Sequence, residues 1–152
     1  MKFIVKNRGE IKNAYFPGGT AILISITDPD KHHCLPSGRY KDVLCVKFSD
    51  ADNPSPGTVL IDETIAKNII KFVVTNNDVD FVVINCEAGL SRSAGAAVAL
   101  SKIFTGNDSQ IVREKPHYNR KVSRTILEAH LKKMLYTDHC PDCGSVIEGE
   151  VK

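Results

Sequence analysis

The chain has 152 residues, a length that suits one domain with its own hydrophobic core. Hydrophobic residues make up 42% of it and charged residues 25%, so the composition excludes a disordered or fibrous chain and predicts a soluble globular protein. The formal net charge of +2 is too small to predict a nucleic-acid-binding surface. Electrostatic functions must therefore depend on local groups of charges.

The N-terminal stretch MKFIVKNRGEIKNAYF holds one short apolar patch followed by charges, which matches neither a signal peptide nor a membrane span. Five cysteines, an odd number, occur at irregular spacing and do not predict a disulfide framework. Because free thiols suit a reducing compartment, we expect a cytoplasmic protein without a membrane partner.

In chain order, the first predicted elements are two buried strands. Residues 20–27 (TAILISIT) form a continuous apolar run rich in β-branched residues, and residues 43–48 (VLCVKF) form a second strand. The segments 31–40 and 49–57 contain the prolines, glycines and polar residues that are typical of loops. We expect the histidines of the first loop to be solvated.

Helices and strands alternate in the rest of the chain. Apolar residues at helical spacing predict a helix over 62–75, and the run VDFVVIN predicts a strand over 79–85. An alanine-rich, apolar stretch predicts a buried helix over 94–104, and a last amphipathic helix is predicted at about 119–136. This order predicts a single α/β domain with a central, mostly parallel sheet flanked by helices.

The most informative stretch is NCEAGLSRS at 85–93, between the most strand-like run and the buried helix. Where a strand leads into a helix N-terminus, several backbone N–H groups surround one point, and the helix dipole adds positive potential. We expect Cys86 at the base of this phosphate-binding loop, the 86–93 loop. The field that binds a phosphate also favours a thiolate, so the loop can activate Cys86 as a nucleophile.

Other residues of the loop have predicted roles that follow from their chemistry. Gly89 allows a turn with positive φ and keeps a side chain out of the loop. Arg92 can present a planar guanidinium to two phosphate oxygens. Ser91 or Ser93 can donate a hydroxyl to the sulfur, and we assign this role to Ser93. The predicted phosphate-binding residues are Glu87, Ala88, Gly89, Leu90, Ser91 and Arg92. The competing interpretation is that Cys86 is a buried structural thiol.

The string CEAGLSRS resembles the signature loop of the cysteine-dependent protein tyrosine phosphatases, and its AGxSRS form most resembles the dual-specificity branch. The chain length and the order of elements agree with that family, so the resemblance covers residues 20 to about 135. It implies a catalytic domain over 1–136, followed by a tail over 137–152. It also implies a phosphomonoesterase that forms a phosphocysteine intermediate, needs no metal for catalysis and acts on phosphorylated proteins or peptides.

The resemblance further implies an aspartate general acid on a loop upstream of the cysteine. The matching loop here is SDADNPSPG, in which Asp50 fits the family placement best and Asp52 is the second choice. Loop aspartates otherwise cap turns. Asn119 lies where the dual-specificity branch often has an asparagine that supports the signature loop, although asparagine is equally suited to a helix N-cap.

Two residues of the loop region affect the predicted activity. Asn85 stands where the family usually has a histidine that helps to stabilise the thiolate, so the resemblance implies a weaker activation of Cys86. Glu87 adds a negative charge that would oppose phosphate binding if it pointed into the loop. We expect the Glu87 side chain to point outward.

A second motif, HCPDCG near the C-terminus, contains the spacing that supplies two thiolates, Cys140 and Cys143, to zinc. Two further ligands would be needed, and the candidates are His139, His130 or the cluster at 32–34. A structural zinc site is one interpretation of the motif. The others are a flexible reduced tail and a redox pair.

Two functions of different classes remain open. One is phosphatase chemistry on phosphotyrosine, with or without phosphoserine and phosphothreonine; the other is a pseudoenzyme that binds phosphorylated partners without turnover. The presence of both Cys86 and a candidate acid favours the enzyme. Phosphoinositides or RNA 5′-phosphates can be hydrolysed by the same kind of loop, but this one lacks extra lysines and the net charge does not favour RNA. We expect a monomer without a nucleic-acid partner.

Overall fold

The computed structural model describes residues 1–33 and 39–137. Strands and helices alternate along this part of the chain. Its strands are β1 (Lys2–Lys6), β2 (Ala21–Thr27), β3 (Val43–Lys47) and β4 (Phe81–Asn85). Its helices are α1 (Glu63–Thr75), α2 (Arg92–Thr105), α3 (Ser109–Glu114) and α4 (Arg120–Thr137), and a 3₁₀ turn, Glu10–Lys12, follows β1.

The strands form one sheet in the order β1-β4-β2-β3, and neighbouring strands are parallel throughout. β2 and β4 occupy the centre, and every residue of β2 is buried. Burial on both faces explains why β2 reads as a continuous apolar run. The predicted single α/β domain is confirmed. Because parallel strands end at the same edge of a sheet, the loops that follow β2, β3 and β4 meet there.

The two faces of the sheet are covered differently. Ile24 and Ile84, which are partners in adjacent strands, belong to the main core that the long helices cover. Leu23 and Val83 point to a smaller cluster that includes Ile11 of the 3₁₀ turn. The helices thus pack mainly on one face, and the N-terminal segment covers part of the other.

Two elements have no counterpart in the sequence prediction. β1 is an edge strand in which only Phe3 is buried, and α3 has six residues with only Ile111 buried. Such short elements, with one buried residue each, leave almost no periodic signal in a sequence. β1 is nevertheless important for the site because Lys6, its last residue, pairs with Asn85 at the end of β4.

The helix boundaries follow from capping. The Asp62 carboxylate accepts a hydrogen bond of 2.8 Å from the backbone N–H of Ile65 and so begins α1. α2 is buried over its first ten residues and ends at Gly106, whose φ of 75° is left-handed. None of the helices within residues 1–33 and 39–137 has both the length and the apolar character that a membrane span requires.

Candidate active site

The 86–93 loop lies at the carboxyl edge of the sheet, between a strand and a buried helix as the sequence predicted. Cys86 directly follows β4, and Arg92 is the first residue of α2. Ser91 is at the N-cap position of α2, and its carbonyl oxygen accepts hydrogen bonds from the backbone N–H groups of Gly95 and Asn119. The loop is thereby fixed to the first turn of α2 and to the start of α4.

The sulfur of Cys86 is surrounded by hydrogen-bond donors. The residue is 3% exposed, and its Sγ lies 3.0 Å from the Ser93 Oγ. Burial raises the pKa of the Cys86 thiol, but hydrogen bonds from the Ser93 hydroxyl and from the backbone N–H groups of Ser93, Gly89 and Ser91 outweigh it. The pKa of Cys86 therefore lies below its ordinary value, as a nucleophilic thiolate requires.

Cys45 shows the opposite behaviour. It is a free thiol on β3, which does not pair with β4, and burial raises its pKa above the ordinary value. Lys47 opposes this increase without cancelling it. The lowered pKa of Cys86 is therefore a local property of its loop and not of the cysteines of the sheet in general.

Gly89 is required by both conformation and space. Its φ is 70°, and an added Cβ would lie 2.8 Å from the carbonyl carbon of Lys6 and 2.9 Å from the nitrogen of Asn7. The sequence prediction of a positive φ is thus matched by the structure. The close neighbour is the backbone that follows β1, so the loop rests directly on the N-terminal segment.

Arg92 is held by acceptors at the ends of two neighbouring strands. The residue is 5% exposed, and its Nη1 donates to Asp28 Oδ1 at 2.7 Å and to the carbonyl oxygen of Phe48 at 2.9 Å. Its Nε is buried and has no hydrogen-bond partner among the described residues. Arg92 therefore carries a buried donor that lacks an acceptor within the described ranges.

The contact of Asp28 with Arg92 was not predicted from the sequence. Partial burial raises the pKa of this carboxyl, but the charges and hydrogen bonds of Arg92 and Lys31 outweigh it and leave the pKa below its ordinary value. In the sequence, Asp28-Pro29 indicates only the end of a strand. Asp28 and Arg92 are 64 positions apart, so the sequence carries no local signal of their contact.

The structure brings Asp50 to the loop. The residue is exposed, and its Oδ1 accepts hydrogen bonds from Ser91 Oγ at 2.7 Å and from Asn119 Nδ2 at 2.8 Å. Asp52 is exposed in the same segment, and within the described ranges no hydrogen bond joins it to the 86–93 loop. Of the two candidate acids, Asp50 is the one that lies against the loop.

Asn119 combines the two roles between which the sequence could not choose. Its Oδ1 accepts the backbone N–H of Val122 at 3.1 Å, which is an N-cap bond for α4. Its backbone N–H donates to the Ser91 carbonyl at 3.0 Å, and its Nδ2 donates to Asp50. The same residue thus begins a helix, supports the loop and orients the candidate acid.

The remaining loop residues differ in exposure. Ala88 and Leu90 are exposed at the rim, and the Glu87 side chain is 55% exposed and forms an ion pair of 3.4 Å with Arg8. This exposure agrees with the outward direction expected for Glu87. Asn85 is 2% exposed; its Nδ2 lies 3.4 Å from the Cys86 carbonyl oxygen, and its Oδ1 has no partner in the described part of the chain.

The expectation that both loop histidines are solvated is wrong for one of them. His32 is exposed, but His33 is half-buried, with its Nδ1 2.8 Å from Thr27 Oγ1 and 3.4 Å from Ser25 Oγ. Burial lowers the pKa of His33, and the charges of Lys47 and Arg8 lower it further. The hydrogen bond to Thr27 fastens the segment after β2 back onto that strand.

The proposed zinc ligands Cys140 and Cys143, with His139 and Cys34, lie outside the described residues. Within the described ranges, no group of three or more His, Cys, Asp or Glu side chains could hold a metal ion. The zinc site therefore stays a prediction from the sequence.

The fold is that of the dual-specificity and tyrosine phosphatase-like proteins. It is similar to the crystal structure of human tyrosine phosphatase-like serine/threonine/tyrosine-interacting protein, with a TM-score of 0.60 and 14% sequence identity over 87% of this chain and 93% of that chain. It is also similar to PTPMT1 in complex with PI(5)P, with a TM-score of 0.51 and 15% identity over 78% and 81% of the two chains. No family model and no curated protein sequence matches the chain. At these identities the likeness concerns the fold.

Proposed function

We propose that the protein is a cysteine-dependent phosphomonoesterase that acts on phosphotyrosine, with or without phosphoserine and phosphothreonine, in proteins. The observation that carries the proposal is the environment of the Cys86 sulfur, with the Ser93 hydroxyl 3.0 Å away and backbone N–H groups around it. Those donors lower the pKa of a buried thiol, and the same donors suit the oxygens of a phosphate. A purely structural cysteine needs neither.

In the proposed first step, the Cys86 thiolate attacks phosphorus and the bond from phosphorus to the ester oxygen breaks. Asp50 gives its proton to that leaving oxygen. Backbone N–H groups of the loop and the Arg92 guanidinium stabilise the charge on the equatorial oxygens. In the second step water attacks phosphorus, Asp50 takes a proton from it, and the sulfur leaves as a thiolate that the Ser93 hydroxyl stabilises.

The hydrogen bonds of Asp50 support its role as the acid. Ser91 and Asn119 both donate to Oδ1, which leaves Oδ2 to carry the proton. A carboxyl group held in this way has a fixed direction at the loop, as general acid catalysis requires.

Hydrolysis of two aryl phosphates tests the proposal. Cys86→Ser is expected to bind inorganic phosphate and to turn over neither substrate. Asp50→Ala is expected to lose about 100-fold or more in kcat, and to lose more with phenyl phosphate than with p-nitrophenyl phosphate, because the poorer leaving group depends more on protonation. Asp52→Ala is the matched control and is expected to stay close to wild type. Equal activity in wild type and Cys86→Ser would end the proposal.

The second candidate is a phosphate-binding protein without turnover. It is favoured by Asn85, which stands where the resemblance implies a histidine and whose buried Oδ1 has no partner among the described residues. The same experiment separates the two functions. Phosphopeptide binding to the wild-type protein without phosphate release would establish the second and exclude the first.

We further propose a cytoplasmic monomer whose partners are phosphorylated proteins and which needs no metal for catalysis. The support for the location is chemical, because a working thiolate requires a reducing compartment. A protein substrate is favoured over a phosphoinositide because the loop lacks lysines that would match several phosphates. Parallel assays with a phosphopeptide and a short-chain phosphoinositide distinguish these substrates.

A further inference from the structure

Asp28 and Phe48 hold one nitrogen of the Arg92 side chain. Asp28 follows β2 and Phe48 follows β3, and Nη1 of Arg92 donates to both, at 2.7 Å to the carboxylate and 2.9 Å to the carbonyl oxygen. A guanidinium is planar, so two acceptors on one nitrogen restrict the direction of the whole group. The side chain is 6% exposed, which leaves it little freedom to choose another direction.

The remaining edge of the guanidinium is the one that carries Nε. This nitrogen is buried and lacks a hydrogen-bond partner among the described residues. A buried donor without an acceptor is unfavourable until an acceptor arrives. An edge with Nε and Nη2 can bind two oxygens of one phosphate at the same time.

Asp28 is itself fixed in place. Its Oδ2 lies 3.3 Å from Lys31 Nζ, and its carbonyl oxygen accepts the Lys31 backbone N–H at 3.1 Å. The hydrogen bond between the Thr27 hydroxyl and His33 Nδ1 fastens the same turn to β2. Each carboxylate oxygen therefore has its own cation, Oδ1 with Arg92 and Oδ2 with Lys31.

We propose that Asp28 is a positioning residue that directs the Nε edge of Arg92 toward the phosphate of the substrate. The inference rests on the proposed function of the 86–93 loop as a phosphate site. The direction in which phosphate affinity changes when Asp28 is removed distinguishes a positioning role from a role through charge alone. A carboxylate beside an anion site repels the anion, so a role through charge alone would make removal of Asp28 tighten phosphate binding. A positioning role makes removal weaken it.

The test compares Asp28→Ala with Asp28→Asn, whose amide oxygen can still accept from Nη1. Asp30→Ala, an exposed aspartate of the same turn, is the matched control. Inorganic phosphate affinity is measured by titration calorimetry, and kcat and KM are measured with phenyl phosphate. We expect Asp28→Ala to lose about tenfold in phosphate affinity and at least as much in kcat/KM, Asp28→Asn to stay within about threefold of wild type, and Asp30→Ala to be unchanged.

A double-mutant cycle shows whether Asp28 acts through Arg92. In an Arg92→Lys background, where no planar fork exists, the loss caused by Asp28→Ala is expected to vanish. Thermal unfolding is measured for each variant, and Asp28→Ser replaces Asp28→Ala if the alanine variant does not fold, because serine is also too short to reach Nη1.

Three results would overturn the proposal. They are unchanged or tighter phosphate binding by Asp28→Ala or its serine substitute, an equal loss in Asp28→Asn, and the same loss in the Arg92→Lys background. The phosphatase proposal fails separately, if wild type binds phosphate but releases none from phenyl phosphate. In that case the calorimetric comparison still decides the role of Asp28.

Discussion

Replacing Gly89 with alanine tests how closely the loop rests on the N-terminal segment. At Gly89, φ is 70° and an added Cβ would meet the backbone of Lys6 and Asn7 at 2.8–2.9 Å. At Gly106, φ is 75° and nothing described lies within 4 Å of an added Cβ. Alanine therefore suffers a left-handed backbone at both positions, at a cost of about 1 kcal/mol. Only at Gly89 does it also overlap with other atoms.

The overlap at Gly89 cannot be removed by rotating a side chain, because the neighbouring atoms belong to the backbone. Overpacking typically costs about 1–3 kcal/mol. We thus expect Gly106→Ala to lower the free energy of unfolding by about 1 kcal/mol and Gly89→Ala to lower it by about 2–4 kcal/mol. A displaced loop also moves N–H donors away from the Cys86 sulfur, so kcat/KM for an aryl phosphate should fall by about 100-fold in Gly89→Ala alone.

Urea denaturation gives the two free energies, and aryl phosphate turnover gives the two activities. The comparison controls for the backbone term, since the two φ values differ by only a few degrees. Equal losses of stability in the two variants, with activity retained in Gly89→Ala, would refute the close approach of the loop to Lys6.

Three further predictions concern the thiol, the cap and the histidine. Alkylation by iodoacetamide can be followed for each cysteine by peptide mass spectrometry. The alkylation rate of Cys86 should reach its plateau at a lower pH than that of Cys45, because the two pKa values are shifted in opposite directions. An inflection at higher pH for Cys86 would contradict this. Asn119→Ala should lower the free energy of unfolding by about 1–2 kcal/mol, because it removes the N-cap bond of α4 and the bond to Asp50. Asp108→Ala, at an N-cap without a side-chain hydrogen bond, should lower it by less than about half as much. Equal losses in urea denaturation would rule out a stabilising cap at Asn119. The pKa of His33 is lowered in the folded protein, so the unfolded chain binds this proton first as pH falls below about 6.5, and stability is lost from there down to the folded pKa. His33→Gln should therefore lose less stability than wild type between about pH 7 and pH 5, and parallel thermal-unfolding curves for the two proteins over this range would count against it.

The sequence predicted the elements whose residues are buried in a regular pattern. β2 and β4 are apolar runs because both faces of the central sheet are covered, and α1 has a capping aspartate and an apolar stripe. β1 was missed because an edge strand with one buried residue has no pattern to detect. Its position in the sheet depends on pairing with β4, almost eighty residues later.

Only part of the site could be predicted from the sequence. Cys86, Gly89 and Arg92 are close in sequence, so their spacing by itself indicates a loop. Asp50 entered through a family resemblance, and the contact between Asp28 and Arg92 was not predicted at all. Contacts between the ends of different strands depend on the order of strands in the sheet, which spacing along the chain does not encode.

The close packing of Gly89 against the backbone of Lys6 and Asn7 links the reactivity of the Cys86 thiol to the completion of folding. Every strand pair is parallel in the described part of the chain, so no hairpin can assemble locally, and β1 and β4 meet only by closing a long segment of chain. In a folding intermediate in which β1 has not yet docked, the 86–93 loop would lack the backbone of Lys6 and Asn7 against which Gly89 packs. In such an intermediate Cys86 would react as an ordinary thiol, so its nucleophilicity would report whether β1 is in place beside β4.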